Sequence, residues 1–113
     1  MKAINVLYRF NQLAAERINL TVLKNNTTGA EQALYRALFE DVSEEMQSLI
    51  PQIRNIFKRI KRRSTAKDII AIYFEDMTWQ DWAETRGVSV NTLYENVKET
   101  LEEIDREIEA EAA

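Results

Sequence analysis

The scarcity of turn-forming residues is the strongest constraint on what this chain can fold into. Its 113 residues include two glycines and one proline. Sheet proteins need many turns, and turns draw on glycine and proline, so a few long helices are expected instead. Since 45% of the residues are hydrophobic and 30% are charged, the composition is that of a globular chain with one real core. The predicted fold class is all-α.

The missing residue types exclude several kinds of chemistry. The chain has no cysteine and no histidine, which removes disulfides, thiolate nucleophiles, zinc-finger ligand sets and histidine bases. The adjacent pairs Glu44–Glu45 and Glu102–Glu103 point to different sides of a helix and do not converge on one site. We therefore predict that the protein is not an enzyme and that it has no catalytic residue, no metal site and no cofactor.

The sequence also indicates where the chain resides. No apolar stretch approaches the roughly 20 residues that a membrane span needs, and the start, Met1 to Asn5, lacks the uninterrupted apolar core of a signal peptide. We expect a cytoplasmic protein without a membrane partner.

The first half of the chain shows two helical patterns. The first covers residues 3–23, and its predicted inner face comprises Ile4, Leu7, Tyr8, Asn11, Ala14, Ala15, Ile18 and Val22. The segment from Thr28 to Glu31 fits a capping box that opens the second helix. The inner face of that helix comprises Leu34, Leu38, Val42, Met46, Leu49, Ile53, Ile56, Phe57 and Ile60. Pro51 is predicted to kink or break it near Ser48–Ile50.

The second half reads as a helix–turn–helix from about Ser64 to Ile104. A cap at Thr65–Asp68 is predicted to open a helix, Thr78 caps a short helix that ends at Arg86, and Ser89 caps a long last helix that ends near Glu109. Gly87 suits the left-handed turn between the last two helices. Trp82 and Ala83 are predicted to face inward, and Val88 is predicted to fill the angle between the two helices. Leu93 and Val97 are predicted to pack the last helix against the short one. We divide the chain into 1–63, a helical region with a basic end, and 64–113, the helix–turn–helix module, together expected to form one compact unit.

Charge is distributed unevenly along the chain. Residues 1–77 carry 12 basic and 9 acidic side chains, and residues 78–113 carry 3 basic and 10 acidic ones, which together give the net charge of −4. Seven basic residues lie between Arg54 and Lys67, with no acid among them. Such a block commonly meets phosphate or another acidic surface, and a solvated helix face is the alternative.

The cap, turn and packing positions of the second half resemble those of a known family. The segment DIIAIYFEDMTWQDWAETRGVSVNTLYENVKETLEEI, from Asp68 to Ile104, is similar to the helix–turn–helix of sigma factor region four. The matching positions are Tyr73, Phe74, Glu75, Thr78, Asp81, Trp82, Ala83, Gly87, Val88, Ser89, Thr92, Leu93, Val97, Leu101 and Ile104. The layout of the whole chain also resembles small sigma-like regulators of phages and prophages, such as the ArpU type. The resemblance implies a DNA-binding transcriptional regulator that acts on double-stranded DNA, with RNA polymerase as a further partner.

The last helix departs from that family, whose recognition helices usually carry several basic residues. Here the helix has one lysine, Lys98, and four nearby acids, Glu95, Glu99, Glu102 and Glu103. The phosphate contacts that supply most nonspecific affinity for DNA must therefore come from elsewhere in the chain. The predicted phosphate contacts are Lys58, Arg59, Lys61, Arg62, Arg63, Lys67 and Lys98. The predicted contacts to base edges are Asn91, Thr92, Tyr94 and Asn96. The alternative for these four is an ordinary exposed helix position.

Two alternatives remain open at this point. Val90, Tyr94, Val97, Leu101, Ile104 and Ile108 form a heptad seam that packs either inside the domain or against a partner helix. A homodimer through the N-terminal helices or through the C-terminal helix is therefore one alternative. The other is a protein-interaction module or inhibitor, in which the acidic last helix mimics DNA or binds a basic protein.

Overall fold

The fold consists of five α-helices in a computed structural model that describes residues 1–112. Ala113, the last residue of the predicted second region, lies outside the described residues. The helices are α1 (Ala3–Asn25), α2 (Gly29–Arg59), α3 (Arg63–Tyr73), α4 (Trp79–Arg86) and α5 (Val90–Ala112). Residues 1–112 contain no strand, which confirms the all-α class. Within the same residues, no helix is long and apolar enough to cross a membrane.

Helices α1 and α2 form a long antiparallel hairpin. Buried residues recur every seven positions on both helices, at Val6, Leu13 and Leu20 on α1 and at Val42, Leu49 and Ile56 on α2, as in a coiled-coil seam. The pairing is marked by Arg9, whose Nη2 lies 2.7 Å from Glu45 Oε2. Nearer the tip of the hairpin, the Lys24 ammonium lies 4.4 Å from the centre of the Phe39 ring.

The predicted inner face of α1 is wrong in most positions. Leu7 is buried as expected, but Ile4, Tyr8, Ile18 and Val22 are 38–65% exposed. The reason is that α1 carries two apolar stripes, one through Val6, Leu13 and Leu20 and one through the predicted residues, and α2 packs against the first. A pattern of three- and four-residue spacing identifies a stripe without saying which partner covers it.

The inner face of α2 is confirmed only from Val42 onward. Val42, Leu49 and Ile56 are buried, whereas Leu34 and Leu38 are 56% and 41% exposed. Tyr35 and Phe39 take their place, packed against the core cluster. These two aromatic residues extend the heptad pattern of Val42 and Leu49 toward the tip of the hairpin. Leu34 and Leu38 therefore lie outside the contact between α1 and α2.

The predicted break at Pro51 does not occur, because α2 is helical from Gly29 to Arg59. A proline inside a helix leaves the carbonyl four residues earlier without its amide donor. Pro51 and Gln47 are both exposed, so water can satisfy that carbonyl.

Two of the predicted caps are also wrong. Thr28 precedes α2, but its side chain accepts no capping hydrogen bond, so the capping box is absent there. Helix α3 begins at Arg63, before the predicted cap, and Thr65 and Asp68 are buried inside it. The Asp68 carboxylate instead binds side chains of α4.

The base of the hairpin packs on the other three helices. Asn11 Nδ2 donates to the Tyr73 carbonyl at 2.9 Å and to Asp76 Oδ1 at 2.7 Å, which ties α1 to the end of α3. The amide of Ala3 donates to Asp105 Oδ1 at 2.8 Å, which ties α1 to α5. One hydrophobic cluster includes residues from all five helices.

Asp68 joins α3 to α4 through a buried carboxylate that is 1% exposed. Its Oδ1 accepts from Trp82 Nε1 at 2.8 Å and from Arg86 Nε at 2.7 Å. The hydrogen bond from Arg86 raises the pKa of that guanidinium. A buried carboxylate is tolerated only when it is paired and hydrogen-bonded, so these contacts fix α4 against α3.

Replacing Arg86 with methionine is expected to destabilise the fold, because the Asp68 carboxylate keeps one donor and loses its counter-charge. We expect the free energy of unfolding to fall by about 3 kcal/mol, measured by urea denaturation. The matched control is Arg36→Met at an exposed position of α2, with an expected change below roughly 0.5 kcal/mol. Equal losses in the two variants would contradict this role of Asp68.

Candidate nucleic-acid interface

The turn between α4 and α5 has the predicted local structure. Thr78 Oγ1 accepts from the Asp81 amide at 3.1 Å, and Ser89 Oγ accepts from the Thr92 amide at 3.1 Å, which confirms both caps. Gly87 has φ 72° and ψ 29°, the left-handed conformation that glycine adopts at least cost. The Gly87 and Val88 amides donate to the carbonyls of Glu84 and Ala83, in the pattern of a Schellman motif.

The heptad seam of α5 is used mainly inside the protein. Val97, Leu101 and Ile104 are each 2% exposed, and Ile108 packs partly buried against the same cluster. Val90 and Tyr94 at the start of the seam are 41% and 46% exposed. The seam is therefore occupied by the core along most of its length.

The four residues predicted to contact base edges differ in exposure and in contacts. Asn91 and Thr92 are exposed in the first turn of α5, although Thr92 Oγ1 also accepts from Ser89 Oγ at 2.9 Å. Tyr94 lies edge-on to Trp79, with ring centres 5.4 Å apart. Asn96 lies one turn beyond Thr92 on the same side of α5, and it is half-buried in a cleft. The outward face of the first turns is completed by Glu95, Lys98 and Glu99, all exposed.

That cleft lies between α5 and the junction of α2 with α3. Basic residues line one wall and the polar and acidic residues of α5 line the other. The lining residues are Arg59, Lys61, Arg62, Thr65, Asn96, Glu99, Thr100, Glu103, Ile104 and Glu107. The cleft thus brings the end of the basic block beside the last helix.

An acidic clasp, formed by Glu103, Glu107 and Glu111 around Arg59 and Lys61, closes the far end of the cleft. Lys61 Nζ lies 3.0 Å from Glu103 Oε1 and 3.4 Å from Glu107 Oε1. Arg59 Nη1 lies 3.7 Å from Glu107 Oε2 and also pairs with Glu111. Two of the predicted phosphate contacts are therefore already paired with carboxylates.

The clasp also affects protonation of its members. The hydrogen bond from Lys61 lowers the pKa of Glu103, and the hydrogen bond from Arg59 lowers the pKa of Glu111. The same contacts raise the pKa of Lys61 and of Arg59. All four groups remain charged near neutral pH, where the clasp is formed.

The other predicted phosphate contacts are exposed. They are Lys58, Arg62, Arg63, Lys67 and Lys98, and none forms an ion pair within residues 1–112. Four of them cluster in sequence at the α2–α3 junction, which we call the basic junction, comprising Lys58, Arg62, Arg63 and Lys67.

Sequence reasoning missed the clasp and the Asp68 contacts. Glu103, Glu107 and Glu111 recur every four residues and thus lie along one side of α5, and this spacing was visible in the sequence. Their partners, Arg59 at the end of α2 and Lys61 just after it, are more than 40 positions away, however, and only the tertiary fold brings them together.

Comparison with family models, with curated proteins and with solved structures found no match to this chain.

Replacing Gly87 with alanine is expected to destabilise the α4–α5 turn, because a Cβ in the left-handed conformation is strained even where space is open. We expect the free energy of unfolding to fall by about 1–2 kcal/mol in urea denaturation. Gly87→Asn is the control, since asparagine tolerates this conformation better. A smaller loss with alanine than with asparagine would show that φ at Gly87 does not limit stability.

The pKa of Glu103 is expected to rise toward its ordinary value in Lys61→Met, because the lowering comes mainly from the Lys61 hydrogen bond. A carboxyl whose pKa is lowered by folding stabilises the fold above its unfolded pKa, and the contribution is lost as pH falls through the lowered value. The clasp should therefore open on acidification. Carboxyl-carbon NMR titration measures both effects, with Lys98→Met as the control that should leave Glu103 unchanged.

Proposed function

We propose that this protein is a DNA-binding transcriptional regulator in which α4 and α5 form a helix–turn–helix. The observation that carries the proposal is the cleft, which brings Arg62 of the basic junction beside Asn96 and Glu99 of α5. Phosphate contacts position a protein on the duplex, and base contacts from a helix N-terminus give specificity. The two kinds of residue lie on adjoining parts of this molecule.

Each part has a separate role in the proposal. Asn91 and Thr92, exposed in the first turn of α5, contact base edges, where asparagine pairs well with adenine. The basic junction neutralises phosphates flanking the groove. Tyr94, which packs against Trp79, shapes the surface and has a smaller part in readout than the sequence predicts.

The acidic residues of α5 oppose DNA binding and lower its affinity. Glu95 and Glu99 are exposed beside Lys98 and repel phosphate at short range. The clasp further engages Arg59 and Lys61. Affinity for DNA therefore depends on the basic junction and falls steeply with added salt. Action beside RNA polymerase is part of the proposal, because the Asp68–Ile104 segment resembles sigma factor region four.

A second candidate function is favoured by the charge of α5. Within Val90–Ala112 there are eight acidic and two basic side chains, and Glu95, Glu99 and Glu102 are exposed along one side. Such a face fits a basic protein surface, so the module could mimic DNA or act as an adaptor.

Removing two charges of the basic junction tests the leading proposal. In Arg62→Ala/Arg63→Ala, duplex affinity should fall and the slope of log affinity against log salt should decrease by about 2. Fluorescence anisotropy with a mixed-sequence duplex at low ionic strength measures both quantities.

The matched control is Lys24→Ala/Arg36→Ala, which removes the same charge from the hairpin tip. It should leave the salt slope unchanged, because the hairpin tip lies at the opposite end of α2 from the basic junction. Equal effects of the two pairs would indicate an unspecific response to net charge, and absence of wild-type binding at low salt would defeat the proposal.

Reversing two charges of α5 separates the two candidates. Glu95→Lys/Glu99→Lys should strengthen duplex binding if α5 enters the groove, since it removes two repulsive charges. If α5 instead binds a basic protein, the same variant should no longer be retained on a polylysine column that retains the wild type. Retention of both proteins on that column would exclude Glu95 and Glu99 as the binding face.

A further inference from the structure

The molecule exposes more surface than a compact chain of its size. Its accessible surface is 7596 Å², whereas a compact monomer of 13.2 kDa exposes about 6,400 Å². The radius of gyration is 17.0 Å, against about 13 Å for a compact domain of this length. The excess of about 1,200 Å² belongs to the whole elongated molecule, which measures 50 × 40 × 17 Å, and a standard interface takes roughly 800 Å² from each partner.

The hairpin formed by α1 and α2 carries a regular apolar stripe on the outside of α1. This outer stripe consists of Ile4, Tyr8, Asn11, Ala15, Ile18 and Val22, spaced alternately by four and three residues. It contains no charged residue. Tyr8, Ile18 and Val22 are 57%, 65% and 54% exposed, although such spacing is that of a helix packed along a second helix. At 1.5 Å per residue, the stripe is about 27 Å long.

The outer stripe occupies a different edge of the hairpin from the other exposed leucines. Asn11 of the stripe faces the α3–α4 connection, where it bonds Asp76, and Ile18 follows it by two helical turns on the same side. Leu38 precedes Glu45 by two turns, and Glu45 pairs with Arg9 on the opposite edge. Leu34 and Leu38 therefore provide an apolar comparison outside the stripe.

Charge favours a second copy of this chain as the occupant. The part of the hairpin from residue 12 to residue 42 carries three basic and four acidic side chains, so two copies meet there without strong repulsion. Helix α5, with eight acids and two bases, repels its own copy. Its apolar seam is in addition occupied by the core.

We propose that the protein forms a homodimer in which the outer stripes of two copies pack against each other from Ala15 to Val22, beyond the α3–α4 connection, about a two-fold axis. The contact is isologous, since the same stripe serves both chains. The two hairpins then form a four-helix arrangement that covers Ile18 and Val22 of each copy. The dimer requires no DNA and is independent of the proposed function.

Sedimentation analysis over a dilution series, without DNA, tests the proposal. The wild type should sediment at twice its chain mass of 13.2 kDa at the higher concentrations. Ile18→Lys/Val22→Lys should raise the dimer dissociation constant at least about a hundredfold, because each copy then places two charges in an apolar contact. Leu34→Lys/Leu38→Lys, on the other edge, should leave the dimer intact.

The outcomes are distinguishable from a folding defect. Circular dichroism should show unchanged helix content in both variants, because all four positions are exposed. If the lysine pair on the stripe loses helix, Ile18→Ala/Val22→Ala replaces it and should still weaken the dimer. A monomeric wild type, a stripe variant that stays dimeric, or a dimer that the Leu34/Leu38 pair dissociates would each overturn the proposal. None of these results bears on binding of duplex DNA.

Discussion

The contacts of one buried carboxylate determine where the candidate interface lies. Asp68 is 1% exposed, and it binds both Trp82 and Arg86 of α4. Since α4 is fixed against α3 by these bonds, and the turn at Gly87 fixes the start of α5, the first residues of α5 have a defined position. The basic junction extends from the end of α2 into the first turns of α3. One polar contact in the core thus sets the distance between the two parts of the proposed DNA surface.

The last helix has two opposed electrostatic roles. Its acidic end holds Arg59 and Lys61 in the clasp, which anchors α5 along the end of α2. Under the proposed function, the same carboxylates compete with DNA phosphates for those two side chains. The pairs are largely exposed, so they are screened by salt and contribute modestly to stability. Salt therefore weakens the clasp, and under the proposed function it also weakens the phosphate contacts.

Local signals in the sequence predicted local structure well. The caps at Thr78 and Ser89 and the left-handed Gly87 are confirmed because each depends on neighbouring residues alone. The prediction of the inner face of α1 was wrong because the helix carries two apolar stripes. Only the packing of α2 determines that Leu13 is buried and Ile18 is exposed. The sequence pattern places Asp68 in a cap, whereas its partners lie 14 and 18 residues away, beyond the reach of a local pattern. At the candidate site, the sequence located the basic block but not the carboxylates that pair with it.

The central claim is that the basic junction and the start of α5 form one surface that binds DNA. Amide chemical shifts of the labelled protein, recorded during titration with a short mixed-sequence duplex at low ionic strength, test it most directly. Shift changes are expected at Arg62–Lys67 and at Asn91–Lys98 together, with little change at Ile18–Leu38. Absence of changes, or changes at only one of the two segments, would contradict it.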